Sequence, residues 1–235
     1  MRLSDFSALT FDCYGTLIDW ERGMLEALTP WCERSGVAVD ESTLLASYGR
    51  HETLVQTDQP ALPYREVVAE VLGQMAKEFG ASALREEQKT FGDSVGQWPP
   101  FADSRESLAY LKKHFVLAAI TNVDNLSFFR THRLLGEPFH ILVTAQDVGS
   151  YKPALENFHY AFERLAEKGI ARDKILHIAQ SLYHDIAPAR TLGLANVWVD
   201  RQTGRGGGLT PPSEAKPDLR VTSLAELVEI HRAEN

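Results

Sequence analysis

Asp12, Thr121, Lys152 and Asp185 are spread over most of a 235-residue chain, yet their types suit one reaction centre. An aspartate can attack as a nucleophile, and the hydroxyl and amide of Thr121-Asn122 can hold a ligand oxyanion. Each residue also has an ordinary reading. An aspartate after a strand is commonly a turn or cap residue. Thr121 reads as a cap, Lys152 as a solvated loop lysine, and Asp185 as the N-cap of a helix over 186–192. Placement separates the readings, because each residue follows an apolar run of strand length. In an open α/β sheet, ligands sit beyond the carboxyl ends of the strands. Asp12 ends the run 8–11 and is aimed at such a crevice, and Gly15 lets the backbone turn away from it.

The elements that must deliver these residues are legible as alternating patterns. Apolar runs over 115–120, 141–143, 175–179 and 196–199 read as strands buried on both faces. Helical stretches over 104–113, 125–135, 154–168 and 186–192 fall among them, and a strand over 219–221 with a helix over 223–231 closes the series. This alternation predicts an α/β fold with a doubly wound, parallel, Rossmann-like sheet. Residues 19–98 break the pattern and read as successive helices over 21–34, 41–56, 64–79 and 83–91, with breaks at Gly36, Pro60, Pro63 and Gly80. The expected organisation is a core from 1–18 and 99–235, with a helical cap from 19–98 lying over the strand ends. The stretch Gly204 to Gly208 lacks the Lys-Ser/Thr and helix of a phosphate cradle and reads as a mobile surface loop.

Composition narrows the class. Hydrophobic residues make up 44%, enough for a full core. A net charge of −8 argues against a nucleic-acid partner, though a local pocket can still oppose the global sign for a small anion. Two cysteines, Cys13 and Cys32, make neither a disulfide framework nor a metal cluster, as expected of a cytoplasmic protein. No apolar run reaches membrane-spanning length and the first residues do not read as a signal peptide.

With the four strand-end segments in hand, the chain resembles the haloacid dehalogenase superfamily. The likeness rests on the stretch from Phe11 to Leu17, on Thr121-Asn122, on Lys152-Pro153 and on the Asp185 segment. Within it, the chain is most similar to the type II (L-2-haloacid) dehalogenases. It also resembles the azetidine-2-carboxylate hydrolases over Phe11 to Glu21, Ala145 to Pro153 and Ser181 to Asp185. Most members of the superfamily are phosphatases, with a second aspartate two residues after the nucleophile that protonates the departing alkoxide. Here that residue is Tyr14. A halide leaves without a proton, and a protonated strained-ring amine already carries one, so the resemblance implies displacement at carbon.

The implied mechanism begins with Asp12 attacking C2 of a small carboxylic acid to give an ester, which water then hydrolyses at the Asp12 carbonyl. In it, Thr16 orients Asp12, Lys152 offsets negative charge, and Asp185 orients water or holds Lys152. Tyr14 and Ser181 belong to the substrate site, Thr121 binds the substrate carboxylate, and Asn122 with Arg50 from the cap receives the halide. Two carboxylates beside one lysine are costly to bury unless all are hydrogen-bonded, which favours a functional Lys152. His51 and His184 are not required, and Trp20 reads as a pocket wall or as core. The dehalogenase pattern is lost at Gln180 and Leu182, where a serine and an asparagine are expected, and at Phe158, where a tyrosine is expected.

The expected function is 2-haloacid dehalogenation. The alternatives are ring-opening C–N hydrolysis of a cyclic amino acid such as azetidine-2-carboxylate, a magnesium-dependent phosphatase, and a non-catalytic ligand-binding protein. No cofactor is expected for the first; for the phosphatase, magnesium would be held by Asp12, the Tyr14 carbonyl and Asp185. The resemblance also implies a homodimer.

Overall fold

The computed structural model describes residues 1–202 and 213–234, so the predicted Gly204–Gly208 loop lies outside the described residues. Among them, six parallel strands form one sheet in the order β3-β2-β1-β4-β5-β6. β1 (Ala8–Phe11) lies at the centre, flanked by β2 (Val116–Thr121) and β4 (Ile175–Ala179). β3 (Ile141–Thr144) is one edge; β5 (Ala195–Val199) and β6 (Leu219–Val221) extend the other side. The chain winds outward from β1 to β3, then returns to the opposite side at β4. This reversal opens a crevice between β1 and β4, directly beyond Asp12. β1 and β4 are buried along their whole length, which explains why they read as unbroken apolar runs.

Four helices separate β1 from the rest of the sheet: α1 (Trp20–Ser35), α2 (Glu41–Asp58), α3 (Tyr64–Glu78) and α4 (Arg85–Ser94). Asp19 and Asp40 cap α1 and α2 by accepting from the third backbone N–H beyond them. α2 runs unbroken through Gly49. The four pack tightly: a Cβ on Gly92 would lie 2.1 Å from the Arg65 carbonyl, so α4 meets α3 backbone to backbone. The chain leaves and re-enters the core side by side, with Asp19 N–H donating to the Pro99 carbonyl at 2.8 Å.

The remaining helices are α5 (Ser104–Leu111), α6 (Asn125–Leu134), the single turn α7 (Ala145–Val148), α8 (Glu156–Ala166), α9 (Ala187–Thr191) and α10 (Leu224–Ala233). The ordinary reading of Asp185 as a helix cap does not hold. Asp185 is not the N-cap of a helix starting at residue 186; it lies inside a π-helical turn, Leu182–Ile186, that Ser181 caps through its Oγ. No helix among the described residues is long and apolar enough to cross a membrane.

Candidate active site

β1 ends at Phe11, and the next backbone N–H, of Asp12, still donates to the Ile178 carbonyl of β4 at 3.1 Å. That bond fixes where the carboxylate projects. The turn that follows requires φ = +94° at Gly15. It brings Thr16 back so that its Oγ1 donates to Asp12 Oδ2 at 2.6 Å while accepting from Gln180 N–H at 2.8 Å. Arg201 holds the same turn from behind, donating through Nε and Nη2 to the Thr16 carbonyl while its Nη1 donates to both oxygens of Asp103.

Lys152 is buried, and an ammonium has three N–H bonds. They reach Asp12 Oδ1 at 2.8 Å, Asp185 Oδ1 at 2.7 Å and the Ile120 carbonyl at 2.9 Å. Burial alone would lower its pKa, but the two carboxylates raise it above the usual lysine value. Burial would raise Asp185, and the Lys152 ammonium and the His177 ring more than offset this, holding it at about 2. Asp12 goes the other way: burial raises it, and the Lys152 ammonium opposes that while the neighbouring Asp185 adds to it. One lysine thus serves two carboxylates unequally, and the nucleophile candidate is the more basic of the two.

His177, in the middle of β4, was not singled out in the sequence. Its Nε2 lies 3.2 Å from Asp185 Oδ1 and its Nδ1 2.9 Å from Thr10 Oγ1 on β1. A neutral ring donating to Asp185 accepts from the threonine. Phe158, where the dehalogenase pattern expects a tyrosine, stands edge-on to this ring at 5.1 Å and seals it from behind. A histidine at the centre of an apolar strand was the available signal. Asp185 Oδ2 remains buried without a partner, as does Thr121 Oγ1 at the end of β2.

Asp12, Lys152 and Asp185 line a cavity of ≈ 470 Å³ between the strand ends and the helical layer. Thr121, Asn122, Lys152, Ser181 and Asp185 come together there with Asp12 and Tyr14, while Thr16 supports the nucleophile from beneath. Several side chains differ from their expected roles. Both ends of the Asn122 amide bind the backbone of Lys152, its Oδ1 accepting from N–H at 2.7 Å and its Nδ2 donating to the carbonyl at 3.1 Å. It therefore fixes the lysine backbone, using one of the two N–H bonds of its Nδ2. The Ser181 hydroxyl is engaged as the cap of the π-helical turn. The Tyr14 hydroxyl is 2.7 Å from Thr131 Oγ1, and its ring meets Trp98 edge-on, so Tyr14 contributes a wall. Burial pushes its phenol well above the usual range. Trp20 is also a wall, and so is His184, which burial pushes down to about 4 and so keeps neutral.

Arg50 does not reach the cavity. It turns outward to Glu78 at 2.5 Å, and His51 joins the same carboxylate at 2.8 Å. Gly49, Glu52, Thr53 and Gln56 face the cavity from α2, one helical face away. Sequence reasoning passed over Glu52. It is partly buried, accepts from the Tyr64 hydroxyl, and is pushed up to about 7 by burial that the Tyr64 and Tyr48 hydroxyls only partly offset.

Two aspartates sharing one lysine thus stand at the switch point of a doubly wound parallel sheet. The chain belongs to the haloacid dehalogenase-like hydrolases, whose family profile matches residues 6–193. It is 29% identical over 208 residues to the phosphoserine phosphatase of Thermus thermophilus, covering 84% of this chain and 76% of that protein. Among solved structures, the L-2-haloacid dehalogenase of Xanthobacter autotrophicus with chloropropionic acid covalently bound superposes with a TM-score of 0.79 at 16% identity, covering 98% of this chain and 100% of that one. The HAD-hydrolase YfnB from Bacillus subtilis bound to magnesium gives 0.78 at 21%, covering 99% and 100%.

Proposed function

We propose that the protein is a hydrolase that displaces a leaving group at C2 of a small carboxylic acid through an ester on Asp12. The supporting observation is the setting of that carboxylate. It faces the cavity, with Lys152 Nζ 2.8 Å from one oxygen and Thr16 Oγ1 2.6 Å from the other. In the first step an Asp12 oxygen bonds to C2 and the C2–leaving-group bond breaks with its electron pair. In the second, water adds at the Asp12 carbonyl and the ester releases a 2-hydroxy acid. Thr121 Oγ1, buried and unpartnered, would receive the substrate carboxylate. Asp185, ionised down to about 2, would orient the attacking water and hold Lys152. Residues 19–98 would act as a cap, supplying aromatic walls that keep other water away.

Both 2-haloacid dehalogenation and ring-opening of a strained amine meet the requirement set by Tyr14. Covalent chloropropionic acid in the Xanthobacter relative supports the first. The outward turn of Arg50 leaves the halide without its expected cation.

A magnesium-dependent phosphatase is the second reading, favoured by the Thermus relative and by the orphaned Asp185 Oδ2. Two carboxylates against one ammonium leave a negative site, and magnesium needs only one or two carboxylates with waters. Asp12, Asp185 and the Tyr14 carbonyl would hold the ion, which would neutralise charge on a phosphoryl oxygen. Single-turnover reaction of 2-chloropropionate and of azetidine-2-carboxylate in ¹⁸O-water, followed by mass analysis of the Asp12 peptide, tests the main reading. Label in Asp12 and unlabelled 2-hydroxy acid are expected. Label directly in the product would overturn it, and magnesium-dependent phosphate release would establish the second.

A further inference from the structure

Resting on the proposal above and extending it to the substrate class, we propose that Glu52 selects small zwitterions, acids bearing an ammonium or a protonated ring nitrogen, by forming an ion pair with that cation. Glu52 projects from α2 into the same cavity as Asp12. Its hydrogen-bond partners are two phenols, Tyr64 and, through it, Tyr48 at 3.0 Å, and no basic side chain among the described residues pairs with it. Trp20, Tyr64, Trp98 and Tyr151 line the same cavity. A carboxylate among aromatic faces is the chemistry that recognises an ammonium ion. It would repel a halide, and the one arginine expected to favour a halide points out of the cavity.

The titratable groups facing Glu52 are Tyr48 on its own helix, Tyr64 on α3 and Tyr151 on the segment before Lys152. Across the cavity lie Asp12, Lys152, Asp185 and His184. The phenols are all raised by burial and stay neutral, and His184, at about 4, carries no charge near neutrality. Glu52 itself, pushed up to about 7, is protonated in part of the neutral population. A cation must therefore bind the ionised fraction and release a proton, whereas a carboxylate without an ammonium need not.

Two unreactive probes separate the cases. L-proline and cyclopentanecarboxylate share a five-membered ring and a carboxylate and differ at one ring atom. Calorimetric titration of the full-length wild-type protein should show proline binding at least tenfold tighter at pH 8. Its affinity should fall about tenfold at pH 6, as expected when only the ionised fraction of a group titrating near 7 is competent. Proton release should appear as a buffer-dependent enthalpy. Cyclopentanecarboxylate should show neither effect, and Glu52→Gln should erase the preference while Glu52→Asp retains part of it. Equal binding, preference for cyclopentanecarboxylate, absence of proline binding, or a preference that survives Glu52→Gln would each overturn the assignment. The wild-type proton count stands even if a variant fails to fold. Because neither probe reacts, an Asp12 ester can fail to form while zwitterion selection stands, or the reverse.

Discussion

Lys152 binds three acceptors with three N–H bonds, and any substitution there strands two buried carboxylates. Lys152→Met should destabilise the protein by about 3–5 kcal/mol at pH 8, as breaking a buried ion pair does. The loss should shrink at pH 5, because one carboxylate can then take up a proton; urea unfolding at the two pH values checks this. Glu52 follows the opposite sign. Its carboxyl holds its proton up to about 7 when folded, whereas the unfolded chain releases it near 4.5. Between those values the folded state binds more protons, so the contribution of Glu52 to stability falls as pH rises. Glu52→Gln removes that dependence and should stabilise the protein relative to wild type by about 1–3 kcal/mol at pH 8, with no gain at pH 4. Thermal unfolding across that range reads it directly. A wild-type stability flat from pH 4 to 8 would show that Glu52 does not titrate as described.

Strands and helices were readable because burial leaves a period in the chain: β1 and β4 are covered on both faces and appear as unbroken apolar runs. The four strand-end residues followed from that pattern. The rotation of α2 did not follow. Tyr48 and Val55 are buried on one side while Glu52 and Gln56 line the cavity on another, so α2 carries no clean apolar stripe to orient it. Arg50 and Glu52 therefore exchange their apparent importance once the helix is placed. The π-helical turn was equally hidden, because one extra residue per turn leaves no compositional mark, and it is Ser181, not Asp185, that does the capping. That assignment is testable. Ser181→Ala removes the bond to His184 N–H at 2.9 Å and should cost about 1 kcal/mol, the usual size of a lost cap. It should also lower kcat more than it raises KM, since the turn it loosens carries Asp185. The two steady-state constants distinguish this from simple loss of stability, and Ser181→Thr should restore both.

The cavity exists only while the helical layer is seated on the strand ends, and a small set of polar bonds seats it. Tyr151 on the core side donates to the Leu62 carbonyl at 2.6 Å, just before α3. Asp124, almost fully buried, is the N-cap of α6, accepting from Ser127 N–H at 3.0 Å. Its other oxygen accepts from Arg65 N–H, in the first turn of α3, also at 3.0 Å. One carboxylate thus caps a core helix and docks a helix of the layer that supplies Tyr64 to the Glu52 site. The two links belong to different functions and should separate on mutation. Asp124→Asn keeps acceptor capacity for the cap but weakens the charge-assisted bond to α3. Asp124→Ala removes both and leaves donors of two elements unsatisfied, at a cost of about 2–4 kcal/mol. With the layer loosened, the cavity walls lose their register while Asp12, Thr16 and Lys152, all held by core bonds, keep theirs. KM should therefore rise severalfold or more in Asp124→Ala, with kcat reduced far less, and Asp124→Asn should fall between it and wild type. A fall in kcat at unchanged KM would place the seating of the layer outside substrate binding and inside the chemical step.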